Sequence, residues 1–410
     1  MPIKVEVQPE EVGLDAGRLD RIGRHFDRYV DDGRLPGWLA VVARGGQVAY
    51  VGHGGCRDVE AGLPVEEGTV WRIYSMTKPI CSVAAMMLWE DGRFELKDPV
   101  SRWIPSFAGC RVWSGGSDQK PVTVAATEPV RVWHLLTHTS GLTYGFHRAH
   151  PVDAMYRAAG YEWGQPHGVD LAAACDAWAG LPLLFQPGRE WNYGVSTDVL
   201  GRLVEVVSGM SLDRFFRERI FEPLGMDDTA FWVGEGSKGD LAALYVPHPE
   251  DGRALRYDRM GGAALRRPEV LSGGGGLVST AADYHRFATF LLRGGELDGV
   301  RLLGPRTVAR MASNHLPGNV DLEAYGRPLF AETAFDGVGF GLGFSVCIDP
   351  VAPLTAMSAG EYGWGGAAST AFWVDPVLDM TVLFFTQLLP SSTYPIRSQL
   401  HQLVHQAVMR

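Results

Sequence analysis

Cysteine is scarce in this 410-residue chain: Cys56, Cys81, Cys110, Cys175 and Cys347 are the full set. An odd number at irregular spacings, with no C-x-x-C pair and no Cys–His spacing, excludes a disulfide scaffold or a zinc finger and fits a reducing compartment. Long apolar runs are also missing. The most apolar stretch, Ile80 to Trp89, is too short to span a bilayer, so no membrane association is expected. The first fifteen residues, MPIKVEVQPEEVGLD, lack the basic start and apolar run of a secretory signal, which makes a cytoplasmic location the expectation. Positive charge is in deficit too. Lys plus Arg number 37 against 47 Asp plus Glu, a net charge of −10, which disfavours nucleic acid and anionic lipid as partners and favours a small molecule. No repeat of 20–50 residues is visible, and 51 Gly and 25 Pro without a period exclude a collagen-like array and predict many short elements.

What is present is the material of a large core, with 46% hydrophobic and 20% charged residues. Leu14, Leu19, Ile22, Phe26 and Val30 recur at the spacing of an amphipathic helix. Trp38 to Ala43 and Gln47 to Val51 are β-rich runs about Arg44-Gly45-Gly46, which predicts a hairpin. A second helix is expected from about Met76 to Trp89, with Pro79 in its first turn and Gly92 past its end, and its all-round apolar character predicts burial. Between Arg111 and Arg267 the pattern turns helical, as in 132–136, 171–179, 199–207 and 212–220. After Leu271 strands return at 341–348, 370–374 and 380–386, with helices near 281–292 and 396–409. The expected architecture is a discontinuous α/β domain (1–110 and 268–410) interrupted by a mainly helical domain (111–267), with the functional site between them.

The sharpest local signal is Ser75-Met76-Thr77-Lys78, an S-x-x-K run that opens the apolar helix. Three residues apart on a helix, the two side chains share one face, so a lysine can serve as base to a serine nucleophile. The helix start also offers backbone N–H groups to a developing oxyanion. Two further segments fit such a site. A Pro187-Gly188 turn delivers Tyr193 to a loop just before a helix, and in Glu361-Tyr362-Gly363-Trp364-Gly365-Gly366-Ala367 the glycines let another molecule lie against a strand. His134 and His138 are four apart, yet no H-E-x-x-H pattern accompanies them and structural roles are expected. Gly194-Val195-Ser196 falls one glycine short of a nucleophile elbow, so no second nucleophile is expected at Ser196.

In order and spacing these segments resemble the serine β-lactamase and penicillin-binding-protein superfamily, in particular its class C-like branch of family VIII carboxylesterases. The S-x-x-K matches Ser75 and Lys78, the tyrosine motif matches Tyr193-Gly194-Val195, and the Lys-Thr-Gly strand matches Trp364-Gly365-Gly366. Leu135-Leu136-Thr137-His138-Thr139-Ser140-Gly141-Leu142, Pro223-Leu224-Gly225-Met226 and Gly274-Gly275-Gly276-Leu277 extend the likeness over nearly the whole chain. The resemblance implies a β-lactamase-like α/β (α+β) fold, with an antiparallel sheet flanked by helices and an inserted all-helical domain. It implies Ser75 as nucleophile, Lys78 and Tyr193 as proton carriers, and the backbone N–H groups of Ser75 and Ala367 as oxyanion hole. Trp364, Gly365 and Gly366 would line the substrate site, and no metal or organic cofactor is implied.

Two departures bear on the substrate. Val195 stands where β-lactamases of this branch have an asparagine, and Trp364 where they have a cationic lysine, so an amide-recognising side chain and a carboxylate anchor are both missing. A serine esterase acting on short-chain carboxylic esters is therefore expected. Acyl transfer, β-lactam or D-amino-acid amide hydrolysis on the same framework, and a non-catalytic binding module are the alternatives.

Overall fold

In the computed structural model, which describes residues 2–164, 166–327 and 335–410, β-rich segments from the two ends of the chain pair into one sheet. Strands β1 (Gly37–Arg44) and β2 (Gln47–Asp58) form the expected hairpin about Gly45 and Gly46, whose φ angles of +65° and +78° favour glycine at the turn. The two-residue β3 (Leu63–Pro64) pairs with β2. The C-terminal part adds β4 (Val338–Phe340), β5 (Ser345–Cys347), β6 (Tyr362–Gly365), β7 (Ala371–Asp375) and β8 (Met380–Phe385). Neighbours run antiparallel in the order β4-β5-β6-β7-β8-β1-β2-β3, and the β1–β8 ladder from Leu39–Phe385 to Arg44–Met380 joins the two ends.

Helices cover both faces. On one lie α1 (Ala16–Asp31), whose N-cap Asp15 accepts from the Arg18 N–H at 2.8 Å, and α5 (Ile396–His405). On the other lie α2 (Thr77–Glu90) and α4 (Ala281–Leu292). Strand alternation sorts the side chains, with Leu39 and Val41 of β1 entering the α2–α4 core and Ala40 and Val42 the α1–α5 core. Every residue of α2 from Thr77 to Leu88 is buried, and large side chains such as Ile80 and Met86 contribute about 1.5–3 kcal/mol each. This buried helix gives the site a rigid base.

Two expectations need correction. The stretch 341–348 is not one strand: Gly341 N–H donates to the Phe344 carbonyl, and Gly343 at φ +99° turns the chain between β4 and β5. The segment 111–267 is not purely helical either. Helices Val132–Leu136, Leu171–Gly180 and α3 (Ser196–Ser208) form, but so do hairpins Arg111–Gly116 with Pro121–Ala125 and Tyr245–Pro247 with Ala254–Arg256. Val122 and Val124 of the first hairpin are exposed, so it lacks the half-buried alternation by which a strand is recognised. All five cysteines are free thiols, and among the described residues no helix is long and apolar enough to cross a membrane.

Candidate active site

Ser75 lies in a 3₁₀ turn (Tyr74–Met76) that feeds α2, rather than in the α-helix itself. Tyr74 before it has φ +43°, a left-handed conformation that costs a non-glycine residue about 1–3 kcal/mol and persists where surrounding structure enforces it. Lys78, the second residue of α2, is 1% exposed. Its Nζ is 3.3 Å from Ser75 Oγ, 3.0 Å from Tyr144 Oη and 2.6 Å from the Gly274 carbonyl oxygen. Three acceptors match the three N–H bonds of an ammonium. An uncharged amine in the same place would donate to Tyr144 and Gly274 and turn its lone pair to the Ser75 hydroxyl.

Tyr193 meets this pair differently from what its motif suggests. Lys78 Nζ stands 4.4 Å from the centre of its ring, while its hydroxyl accepts from Trp364 Nε1 at 3.1 Å. His147 Nε2 holds the Tyr193 carbonyl at 2.7 Å. Behind the ring sits His138, with ring centres 5.0 Å apart, accepting from the Gly194 N–H at Nδ1 (3.4 Å) and meeting Thr197 Oγ1 at Nε2 (3.3 Å). Burial, reinforced by Lys78 and His147, drives its pKa well below the usual imidazole range, so it packs as an uncharged support. His134 is also buried, and its Nδ1 accepts the Arg131 N–H at 3.0 Å. Burial and Arg131 lower its pKa to about 3. Ser196 Oγ is buried against Ser140 Oγ at 2.8 Å.

Two neighbours of Lys78 were missed by sequence reasoning. Tyr144 stands two residues after the Thr139-Ser140-Gly141-Leu142 run, which was its only signal. Burial, together with Asp198 and Tyr193, holds its hydroxyl protonated far above the usual phenol range. Asp198 on α3 is buried and accepts from Ser272 Oγ (2.5 Å) and the Gly274 N–H (3.1 Å). It thus orients the peptide whose carbonyl receives Lys78. Burial raises its carboxyl pKa, opposed by Lys78 and these hydrogen bonds.

The β6 motif closes the site. The Gly366 N–H donates to the Thr370 carbonyl at 2.8 Å, and a Cβ there would come within 2.5 Å of the Ile73 carbonyl oxygen. Only glycine lets this turn, with Ala367 next to it, lie against the turn that carries Ser75. Trp364 both holds Tyr193 and walls the cavity, packing edge-on to Phe340 at 5.3 Å. A cavity of about 170 Å³, lined by Ser75, Phe146, Tyr193, Phe335, Trp364 and Ala367 among others, opens on the serine. That is a volume of the order that accommodates a benzene-sized group. Val195 is buried in the core and presents nothing to the cavity.

A family model described as Beta-lactamase matches residues 22–406. The chain belongs to the β-lactamase family. Protein Rv1367c of Mycobacterium tuberculosis is 36% identical over 364 residues, 88% of each chain. Esterase EstB of Burkholderia gladioli is 33% identical over 393 residues, 93% of each. Among solved structures, EstCE1, described as a hydrolase with promiscuous acyltransferase activity, superimposes with a TM-score of 0.79 at 28% identity, covering 96% of this chain and 98% of that one. The mixed α/β fold with its large antiparallel sheet is the fold of these β-lactamase-family neighbours. Within that fold, α2, the 142–147 loop, the start of α3, the 272–276 loop and β6 converge on Ser75.

Proposed function

We propose that this chain is a serine carboxylesterase of the family VIII type, acting on small esters with short acyl chains through an acyl-enzyme on Ser75. The observation that carries the reading is the position of the Lys78 nitrogen, 3.3 Å from Ser75 Oγ and held by Tyr144 and Gly274 on its other sides, where an uncharged amine can take the serine proton. Esterase activity named for relatives supports the reaction class. Lys78 takes the proton as Ser75 Oγ attacks the ester carbonyl carbon, and the backbone N–H groups of Ser75 and Ala367 receive the oxyanion. The intermediate collapses, the C–O bond to the alcohol breaks, and Tyr193 relays a proton to the leaving alkoxide. Water then attacks the acyl carbon and loses its proton to the same Lys78–Tyr193 pair, and the bond between Ser75 Oγ and the acyl carbon breaks as that proton is returned to Oγ, releasing the carboxylic acid. Trp364, Gly365 and Gly366 form the wall along which the substrate lies, with an indole where a β-lactam carboxylate would need a cation.

The proposal includes the division into 1–110 with 268–410 and 111–267, since Ser75 and Trp364 come from the first part and Tyr144, Tyr193 and Asp198 from the second. It also includes a cytoplasmic location, supported by five free thiols. A second reading, transfer of the acyl group to an alcohol, uses the same acyl-enzyme and is supported by the activity named for EstCE1. The test is intact mass after brief mixing with p-nitrophenyl butyrate, with nitrophenolate release followed in parallel. A butyryl adduct and turnover in the wild type, both absent in Ser75→Ala, are expected. Turnover surviving in Ser75→Ala overturns the assignment, and ester products formed with an added alcohol acceptor favour the second reading.

A further inference from the structure

The side of β6 turned away from Trp364 carries a different cluster. Glu361, the residue before β6, stands one step beyond the Tyr362–Val374 pair and so faces Asp375, the last residue of β7. Both are buried, at 1% and 0% exposure. Two carboxylates directly opposite on one sheet face repel each other, and burial deprives them of the water that would screen the repulsion. Helix α5 crosses above with Arg397, His401 and His405, a stripe spaced by four residues.

His401 is already committed. Its Nδ1 lies 2.9 Å from the Arg397 carbonyl oxygen, its Nε2 2.9 Å from Glu361 Oε1, and its ring stacks on Trp373 with centres 3.8 Å apart. What remains is Glu361 Oε2 and His405 Nε2, both buried atoms without a hydrogen-bond partner, 3.8 Å from each other. That gap is too long for a hydrogen bond. It is close to the ~3.5 Å that separates two ligand atoms bound to one ion at about 2.0–2.2 Å in tetrahedral geometry. Asp375 supplies a third donor, since one oxygen of each carboxylate and a ring nitrogen of His405 all lie within 4.8 Å of one another. Its Oδ1 accepts from the Val377 and Leu378 N–H groups and its Oδ2 from Ser358 Oγ at 2.6 Å, contacts that aim the carboxylate and leave lone pairs for an ion.

We propose that Glu361, Asp375 and His405 form a binding site for one divalent transition-metal ion. Two carboxylates and one imidazole neutralise a doubly charged cation, suit zinc better than the all-oxygen cations, and leave a fourth position for water. The donors, within 4.8 Å of one another, draw in to about 3.5 Å on binding. The site braces α5, whose Arg397 donates to the Gly366 and Thr370 carbonyls at 3.1 and 3.2 Å and so holds the turn next to Ala367.

The test uses the full-length chain, stripped by chelation and titrated with Zn²⁺ at pH 7.5 against a colorimetric zinc chelator, with thermal unfolding read in parallel. One equivalent of zinc bound and a raised unfolding midpoint are expected, with at least tenfold weaker binding and no rise in His405→Gln and Glu361→Gln. His405→Gln, at the partly exposed end of α5, carries the test if Glu361→Gln fails to fold. His167→Gln, an exposed histidine paired with Glu269, is expected to bind as the wild type does. A wild type that takes up no zinc, or one whose affinity is unchanged in His405→Gln, overturns the proposal.

Discussion

Strand β6 separates two buried polar clusters built in opposite ways. On the Trp364 side, Lys78 has three acceptors from three segments of the chain, the Tyr193 hydroxyl has its indole donor and Asp198 has two donors from the 272–276 loop, so each of these charged or polar groups has a partner in place. On the Glu361 side, a carboxylate oxygen and an imidazole nitrogen are buried without a hydrogen bond and face each other only as an ion pair at 3.8 Å. A cluster with its partners in place is preorganised for proton transfer, because little has to move when charge shifts. A cluster with orphaned donors and acceptors is unfinished without a further ligand.

The comparison breaks most decisively at Ser75. Ser75→Ala and Lys78→Ala are each expected to lower ester turnover by about 10³-fold or more, since nucleophile and base act as one unit; initial rates with p-nitrophenyl butyrate measure it. Near-normal rates in either would reduce the cluster to a packing feature. Tyr193→Phe should cost about 10²–10³-fold in kcat. Tyr144→Phe sharpens the role of the second tyrosine: as a hydrogen-bond partner of Lys78 rather than the proton carrier, it should lose about tenfold. The reverse ranking would exchange the two roles.

A smaller effect should appear in stability against pH. The folded-state pKa of His138 lies well below its unfolded value of about 6.5, so above that pH its full contribution is present, and as pH falls below it the unfolded state binds more protons. Stability should therefore fall as pH drops below about 6.5. His138→Gln should flatten that slope in thermal unfolding between pH 7 and 5, and an unchanged slope would assign the acid sensitivity elsewhere. Smallest is Trp364→Phe, which keeps the ring and removes the N–H to Tyr193; up to about a tenfold fall in kcat with little change in KM is expected. A rise in KM alone would make Trp364 a substrate contact only.

Legibility in the sequence followed the distance over which each feature is encoded. Ser75 and Lys78 stand three residues apart, and Tyr193 is marked by the turn before it and the helix after it, so local pattern exposed all three. Tyr144 and Gly274 reach Lys78 from 66 and 196 residues away along the chain, and Asp198, 120 residues away, orients the Gly274 peptide; no spacing signals such an encounter. The β4–β5 hairpin was hidden in one apolar stretch because strand and turn there share the same glycine-rich composition. The cluster behind β6 was equally silent, since Glu361 and His405 belong to different elements and only the strand–helix crossing makes them neighbours.

By itself, then, the sequence determined the N-terminal hairpin, the buried helix α2 and the closeness of Ser75 and Lys78 at its start, because these depend on residues a few positions apart. Only the tertiary structure decided which hydroxyl touches Lys78, that Trp364 bonds Tyr193, and that two carboxylates and a histidine meet beneath α5. Those outcomes depend on how the sheet is ordered and how helices cross it, and long-range packing sets both.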